Sequence, residues 1–333
     1  MRPGSFANRC AAVVVGVCTA AVLGEFAYRL LRQPWLSPTT NPSYVVFDPE
    51  VGWSYRPFAK ERHRSDEFDV EVEMHSAGYR GPEWQEPSSR RRLLVLGDSQ
   101  AFGWGVSWPE TMTARLAAAL PDWDVCNAAV AGYGTDQQLL TMRRLLPRLR
   151  PHVVVSVFCG NDLWESSCEE AYGRSKPQFL PLREDLALRS AHLRISWLGE
   201  HSALFGALQK KLWERRFAAQ ARDLAAEWRM VERLYCAMRN DLSGRLLFVV
   251  SEESRLGMFA AREPGITHVD VRDALGRAVE PTRFAKDGHW NAAGHAVVAA
   301  AVEAALRNSA AMSVPENGSG PAQSGALPPE QKR

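Results

Sequence analysis

The sequence predicts an α/β fold: a doubly wound parallel sheet flanked by helices, preceded by an apolar anchor and interrupted by a helical insertion. Short apolar runs, each followed by a glycine or a polar turn, alternate with longer segments of helical character, and this alternation is typical of such sheets. One run, His152–Phe158, is β-branched and almost uninterrupted in its apolar character. That pattern is expected of a parallel strand covered by helices on both faces.

Five apolar runs are predicted to be the strands of this sheet. The first of them leads directly into Gly97, which allows the backbone to turn sharply at the end of the strand. In chain order the predicted strands are Leu93–Leu96, Trp123–Ala128, His152–Phe158, Leu246–Val250 and Thr267–Val271.

Helices are predicted between these strands and after the last one. Ser107 and Glu110 match a capping box, which opens the first helix, and Thr135 or Asp136 can cap the second. The alanine-rich C-terminal segment gives the last helix. The predicted ranges are about 107–120, 135–146 and 292–307.

The N-terminal segment, residues 1–32, is predicted to be an uncleaved signal anchor that leaves the rest of the chain outside the cytoplasm. Arg2 and Arg9 precede an apolar run from Cys10 to Gly24, which is short for a membrane span and matches the apolar region of a signal sequence better. Basic residues on both sides weaken the prediction of orientation. The alternative is an amphipathic or buried N-terminal helix.

Three further segments have distinct characters. Residues 33–90 contain several prolines and the alternating stretch Phe68–Met74, and we expect a small β-rich lead-in that packs on the main domain, residues 91–308. Within that domain, residues 163–242 are predicted to form the helical insertion, which is either a cover for the cleft or a plain packing element. The tail, residues 309–333, is rich in Pro, Gly, Ser and Gln and is predicted to be disordered.

Composition and cysteine usage exclude some functions. The formal net charge is +2 with no long basic run, so nucleic-acid binding has no electrostatic support. The six cysteines include no CxxC pair, which makes a zinc site unlikely on sequence grounds. Cys159 and Cys168 could pair outside the cytosol, but the sequence does not establish their connectivity. No cofactor or metal is predicted.

Chemistry-bearing residues follow the predicted strands. Ser99 comes after the first strand, Gly132 after the second and Asn161 after the third, and such turns converge on one edge of a parallel sheet. His289 and Asp287 precede the last helix. His289 could act as the general base for Ser99, with Asp287 orienting its ring. A separate set of donors could hold an oxyanion: the backbone N–H groups of Ser99 and Gly132 and the side-chain amide of Asn161.

In this order, the four blocks resemble the SGNH or GDSL-type serine hydrolase family. The matching segments are Gly97–Ser99, Asn127–Gly132, Gly160–Asp162 and Asp287–His289. The resemblance implies a flavodoxin-like three-layer fold, Ser99 as the nucleophile, Gly132 and Asn161 as oxyanion donors, and Asp287 with His289 as acid and base. Further segments resemble a membrane-anchored bacterial branch of that family, namely Asp48–Trp53, Ser76–Gly81 and Gly132–Gln137.

Two positions depart from the family pattern. Gln100 stands where a hydrophobic residue is usual, and we expect an effect on packing or cleft polarity only. Asp287 and His289 are separated by one residue instead of the commoner two, a form that also occurs in related polysaccharide O-acetyltransferases. Asp270 or Asp273 are therefore alternative acids. His295, inside the last helix, is expected to have a packing or surface role.

These residues leave three functional hypotheses. The first is a serine esterase that hydrolyses acyl or acetyl esters, with a small molecule or an envelope glycan as its partner. The second is an O-acyltransferase that moves an acetyl group to a polysaccharide hydroxyl. The third is a catalytically silent glycan-binding protein of the same fold. The eleven tryptophans, as core, cleft wall or sugar-stacking surface, are compatible with each.

Overall fold

The computed structural model describes residues 3–31, 44–182, 186–189 and 202–309. The strands are β1 (Val45–Asp48), β2 (Gly52–Tyr55), β3 (Lys60–Arg64), β4 (Asp69–Glu73), β5 (Arg91–Leu96), β6 (Trp123–Asn127), β7 (Val153–Val157), β8 (Glu170–Ala171), β9 (Arg174–Ser175), β10 (Gln178–Pro181), β11 (Leu186–Arg189), β12 (Leu246–Ser251) and β13 (Ile266–Asp270). The helices are α1 (Pro3–Leu31), α2 (Ser99–Phe102), α3 (Met112–Ala119), α4 (Thr135–Leu149), α5 (Asp162–Glu165), α6 (Ala203–Ala219), α7 (Leu224–Leu242), α8 (Ser254–Ala260), α9 (Arg272–Gly276) and α10 (Ala292–Arg307).

Five parallel strands form the central sheet, in the order β13–β12–β7–β5–β6. In this register, Leu93 of β5 lies between Val125 of β6 and Val153 of β7. Numbered within the sheet alone, the order is 2-1-3-4-5, which is the flavodoxin-like winding. The predicted α/β fold is confirmed. The winding reverses between β5 and β7, and ligands of such sheets bind where the carboxyl ends of these strands meet.

Helices cover the sheet on both faces. Helix α3 packs with α10, and α4 packs with α7. The strands β5 and β7 consequently have almost no exposed side chains, as the apolar run at 152–158 indicates. Helix α10 begins at Ala292 because Asn291 caps it, its side chain accepting the N–H of Gly294 at 3.1 Å.

The segment 163–242 contains helices of two different kinds. Helix α7 connects β7 to β12 and buries one face against α4, so it forms part of the helical layer of the sheet. Helix α6 is largely exposed and contacts α1. In chain order, the hairpins β8–β9 and β10–β11 come after α5 and before α6.

The lead-in forms two antiparallel hairpins, β1–β2 and β3–β4. It packs on the carboxyl edge of the sheet: Tyr55 accepts the N–H of Ala131 through its hydroxyl oxygen at 2.7 Å. Arg80, which is buried, donates to the carbonyl oxygens of Phe102 at 3.1 Å and Val106 at 2.7 Å. The lead-in is therefore fixed to the turns that follow β5 and β6.

Helix α1 lies outside the core. Residues Asn8–Leu31 form a helix long and apolar enough to cross a membrane, and none of its most apolar window is buried in the structure. A signal sequence near the N terminus has the same character. The side chain of Glu25, near the end of α1, accepts hydrogen bonds from Ser202 Oγ at 2.7 Å and the N–H of Leu204 at 3.0 Å. Helix α1 is thus joined to the start of α6.

The structure also describes the predicted strand of the lead-in and the six cysteines. The alternating stretch Phe68–Met74 contains β4, at Asp69–Glu73. All six cysteines are free in the structure, including Cys159 and Cys168. Residues 310–333 of the tail predicted to be disordered lie outside the described residues, as do 33–43 of the lead-in.

Candidate active site

The turn after β5 presents Ser99 at the carboxyl edge of the sheet. Gly97 has φ +155°, and a Cβ there would lie 2.6 Å from the Cβ of Ala101 and 3.1 Å from that of Val157, so only glycine fits this turn. The carboxylate of Asp98 then caps α2 by accepting the N–H of Gln100 at 2.9 Å. Ser99 is the first residue of α2, and its side chain is left partly exposed.

A second turn presents His289. The N–H of Phe284 donates to the carbonyl of His289 at 2.9 Å, and the N–H of Gly288 donates to the carbonyl of Phe284 at 3.0 Å. The side chain of Arg283 also donates to the carbonyl of Gly288 at 2.8 Å. We call residues 283–290 the histidine loop.

The two turns bring Ser99, His289 and Asp287 together. The Nε2 atom of His289 lies 2.7 Å from Ser99 Oγ, and its Nδ1 atom contacts Asp287 Oδ1. Partial burial favours a raised pKa for Asp287, but hydrogen bonds from His289 and Trp104 together with the charge on His289 lower the pKa below its ordinary value. The carboxylate is therefore ionised at neutral pH and can orient the ring.

Gln100 and Trp104 hold the histidine loop against α2. Gln100 Oε1 accepts the N–H of Trp290 at 2.9 Å. The Gln100 side chain therefore has a specific hydrogen-bond partner, whereas the sequence led us to expect an effect on packing or cleft polarity only. The ring of Trp104 lies 5.9 Å from the ring of His289 between centroids. Both contacts link the residues that follow Ser99 to those that flank His289.

The lead-in also holds the histidine loop, through the turn between β3 and β4. Glu67 accepts the N–H of Lys286 at 3.0 and 3.1 Å through its two oxygens and the N–H of Asp287 at 2.8 Å. Phe68 and Phe284 pack with ring centroids 5.2 Å apart, and Asp66 pairs with Lys286. Nothing in the sequence indicated this role for Glu67.

The predicted oxyanion donors lie at the same edge. Ser99 and Gly132 donate no backbone hydrogen bond to any of the residues described here, so both N–H groups are free for a ligand. Gly132 has φ +80°, and a Cβ there would lie 2.9 Å from the ring of Tyr172. The backbone can thus approach Tyr172 closely only because the residue is glycine.

Asn161 is placed beside the nucleophile turn, but its amide is already engaged. Its Nδ2 atom lies 3.2 Å from Asp98 Oδ2 and 2.9 Å from Glu165 Oε2. An amide has two N–H donors, and these two carboxylates can accept both. In this arrangement Asn161 offers no free N–H to an oxyanion.

Three acidic residues, Asp98, Asp162 and Glu165, are buried beneath this edge. Burial raises the pKa of Glu165 to about 8, with the charge of Asp98 adding to the shift and hydrogen bonds from Tyr172 and Asn161 opposing it. Burial and the neighbouring carboxylates raise the pKa of Asp162 as well, although Thr135 donates to it at 3.1 Å. Burial therefore favours the protonated forms of Asp162 and Glu165.

The remaining candidates have other hydrogen-bond or ion-pair partners. Asp270 accepts the N–H of Arg272 at 2.9 Å, and Asp273 pairs with Arg277. His295 is buried in α10, where its Nδ1 accepts the N–H of Met112 at 3.2 Å. Among the residues for which the structure gives positions, no group of three or more His, Cys, Asp or Glu side chains could hold a metal ion.

A comparison with family models matched part of the chain. The model of the GDSL-like lipase/acylhydrolase family matches residues 95–245, a range that includes Ser99, Gly132 and Asn161 but ends before Asp287 and His289. A search of curated proteins found no match.

Solved structures to which this chain was matched include the crystal structure of TesA, at 16% sequence identity and a TM-score of 0.43, covering 65% of this chain and 98% of that one. A member of the lipolytic G-D-S-L family from Veillonella parvula has 12% identity and a TM-score of 0.41, covering 66% of this chain and 99% of that one. A family 3 carbohydrate esterase from Clostridium thermocellum has 14% identity and a TM-score of 0.36, covering 65% of this chain and 94% of that one.

The parallel sheet has the flavodoxin-like winding, and residues 95–245 are similar to the GDSL-like lipase/acylhydrolase family. That stretch is less than half of the 333-residue chain. This similarity supports an enzyme that hydrolyses esters.

Proposed function

We propose that the protein is a serine esterase that hydrolyses carboxylic esters through an acyl-enzyme on Ser99. The contact of 2.7 Å between Ser99 Oγ and His289 Nε2 is the observation on which the proposal depends. A serine hydroxyl is a weak nucleophile unless a base accepts its proton, and this geometry supplies one. Asp287, on the other ring nitrogen, keeps Nε2 unprotonated and directed at Ser99.

The reaction has two half-reactions. Ser99 Oγ attacks the ester carbonyl carbon while His289 Nε2 takes the hydroxyl proton, and the carbonyl oxygen becomes an oxyanion. The carbon–oxygen bond to the alcohol then breaks, and His289 returns the proton to the leaving alcohol. Water attacks the acyl-enzyme in the same way, giving its proton to His289. The acid is released, and Ser99 regains its proton.

The oxyanion is held first by the backbone N–H groups of Ser99 and Gly132, which are pre-oriented by the turns after β5 and β6. Asn161 can contribute its amide only by releasing Asp98 or Glu165. Because burial and the Asp98 charge favour the protonated form of Glu165, which is a weaker acceptor than a carboxylate, the contact with Glu165 is the easier one to give up.

For the substrate we propose acyl or acetyl groups on a carbohydrate or envelope glycan. The half-buried ring of Trp104 beside His289 offers a flat apolar face on which a sugar ring can stack. For the location we propose that α1 anchors the chain in a membrane with the catalytic domain on the extracytoplasmic side. The exposure of its apolar surface supports an anchor. A reporter fused to the C terminus tests the orientation, because a cytoplasmic signal contradicts it.

The mechanism is tested with a fluorophosphonate probe and a short-chain ester. Ser99 is expected to be the labelled residue, and Ser99→Ala is expected to abolish both labelling and hydrolysis. His295→Gln provides a control, because this histidine has no contact with Ser99 among the hydrogen bonds of the structure. Normal hydrolysis by Ser99→Ala would contradict the proposed acyl-enzyme mechanism.

The alternative acceptor, a sugar hydroxyl in place of water, is tested by product analysis. The enzyme is incubated with an acetyl donor and glycan acceptors, and free acid and acylated sugar are both measured. Free acid as the main product supports the esterase. Acyl groups found only on sugar identify an O-acyltransferase, whereas a chain that binds glycans without any turnover identifies the silent binding protein.

A further inference from the structure

A cavity lies at the amino end of the central sheet, opposite the edge that presents Ser99. Its volume is about 880 Å³, and the first residues of four neighbouring strands line it: Arg91 of β5, Trp123 of β6, Val153 of β7 and Leu246 of β12. Since all four strands are parallel, this end of the sheet is separated from Ser99 by the full length of β5.

Arginines dominate the lining of this cavity. Glu86 is its one acidic lining residue, and its carboxylate binds Arg148 at 2.8 Å. We call it the arginine cavity after the residues Arg90, Arg91, Arg92, Arg148, Arg150 and Arg245.

Several of these arginines have no acidic partner among the residues that the structure describes. Arg150 and Arg245 form no ion pair with any residue in the described ranges, and Arg90 has only a contact of 3.9 Å with Asp124. The pKa of His152, which also lines the cavity, is lowered first by burial and then by the charges of Arg245 and its neighbours. The positive potential therefore extends across the cavity.

Two buried donors on the lining lack acceptors. Arg92 is 7% exposed and gives its Nη groups to the carbonyl oxygens of Leu149 and Gln85, which hold it in place without neutralising its charge. Its Nε atom, and the Nε1 atom of the buried Trp123, have no hydrogen-bond partner among the residues described. Buried donors without acceptors cost free energy.

We propose that the arginine cavity binds a molecule that bears phosphate groups. A phosphate offers two negative charges and several acceptor oxygens at once, which match planar guanidinium groups better than a single carboxylate does. The volume exceeds that of a lone phosphate ion, so the ligand contains a phosphate and a further body. A soluble phosphate ester and a phospholipid headgroup share this chemistry. The cavity has no residue in common with the Ser99 site, so the proposal is independent of the proposed esterase.

The test is a calorimetric titration of the full chain, in a neutral detergent at low salt, with pyrophosphate. We expect saturable binding that weakens as sodium chloride is added, because the contact is between ions. The double variant Arg150→Gln/Arg245→Gln is expected to lose about tenfold or more in affinity. The matched control is Arg262→Gln/Arg277→Gln, which removes the same charge from two exposed arginines outside the cavity and is expected to bind as the unaltered chain does.

Variants that unfold are recognised by their thermal transitions. In that case, the single variant Arg245→Glu is titrated with pyrophosphate instead, because it adds a repelling carboxylate to the lining of the cavity and is expected to weaken binding. Displacement of pyrophosphate by glycerol phosphate identifies a soluble ligand, whereas displacement by phosphatidylglycerol micelles but not by phosphatidylcholine micelles identifies a headgroup; either supports the proposal. Absence of saturable binding, or equal loss of affinity in the control double variant, overturns it.

Discussion

Glu67 accepts the backbone N–H of Asp287 at 2.8 Å, although the two residues are 220 positions apart in the chain. The same carboxylate accepts the N–H of Lys286. The turn of the β3–β4 hairpin therefore fixes the start of the histidine loop. Because Asp287 and His289 are in this loop, the lead-in helps to align the proposed catalytic residues, and we infer that Glu67 is a positioning residue.

Removal of this anchor is expected to slow turnover. Glu67→Ala leaves the N–H groups of Lys286 and Asp287 without acceptors, and the resulting displacement of His289 is expected to lower kcat by about 10- to 100-fold with little change in KM. Glu67→Gln keeps one acceptor oxygen and is expected to retain most of the activity. Steady-state kinetics on a short-chain ester measure both constants.

Asp66→Ala is the matched control for this prediction. It removes an exposed ion pair with Lys286 from the same turn, and exposed pairs contribute little to stability or geometry. Equal losses in Asp66→Ala and Glu67→Ala, or a change confined to KM, would contradict a positioning role for Glu67.

Asp287→Asn is expected to lower kcat by about 10⁴, because the amide cannot hold the His289 tautomer that accepts the Ser99 proton. The measurement is kcat at saturating ester, with the fluorophosphonate labelling rate as a second reading. Asp273→Asn and Asp270→Asn, which alter the alternative acids, are expected to leave the rate near that of the unaltered enzyme. A rate lost in either of these and retained in Asp287→Asn would reassign the acid.

Gln100→Leu is expected to lower both stability and turnover. The substitution restores the hydrophobic residue that is usual at this position but removes the acceptor of the Trp290 N–H. Loss of a partner for a largely buried N–H costs about 1–3 kcal/mol in the free energy of unfolding, which urea denaturation measures. Gln100→Glu keeps the acceptor and serves as the comparison. If Gln100→Leu is as stable and as active as the parent, the hydrogen bond has no structural role.

Stability is expected to depend on pH through Glu165. Its pKa is raised from 4.5 to about 8 by burial and by the charge of Asp98, so the folded state holds a proton that the unfolded state has released. This contribution to stability is complete below pH 4.5 and is lost as the pH rises to about 8. Urea denaturation measures the free energy of unfolding at pH 6 and at pH 8.5. Between these two pH values, the free energy of unfolding is expected to fall less for Glu165→Gln than for the parent. An equal fall in the two proteins would show that Glu165 does not cause the pH dependence of stability.

Local patterns were sufficient to predict the sheet. Apolar runs such as Leu93–Leu96 and His152–Phe158 identify buried parallel strands because both faces of each strand must be covered. Parallel strands in turn place the residues after each carboxyl end at one edge, so the proximity of Ser99, Gly132 and Asn161 follows from topology alone. The contact between Ser99 and His289 needed the resemblance to the family as well.

The sequence could not predict contacts that depend on side-chain direction or on distant segments. Asn161 stands in the turn where a donor was expected, yet the buried carboxylates of Asp98 and Glu165 hold its amide. Glu67 lies in an ordinary acidic turn, and only the folded chain brings it to Lys286 and Asp287. Helix α7 has the amphipathic pattern of any surface helix, so its position in the layer beside α4 was not evident.

The separation of 190 residues between Ser99 and His289 has a consequence for biosynthesis. The hydroxyl emerges early from the ribosome, whereas the ring that activates it is made only near the end of the chain. Until the last helix has been synthesised and docked, the nascent protein has a serine but no base beside it. The proposed esterase is therefore expected to stay inert towards esters during its own synthesis and to become reactive only on completion of the domain.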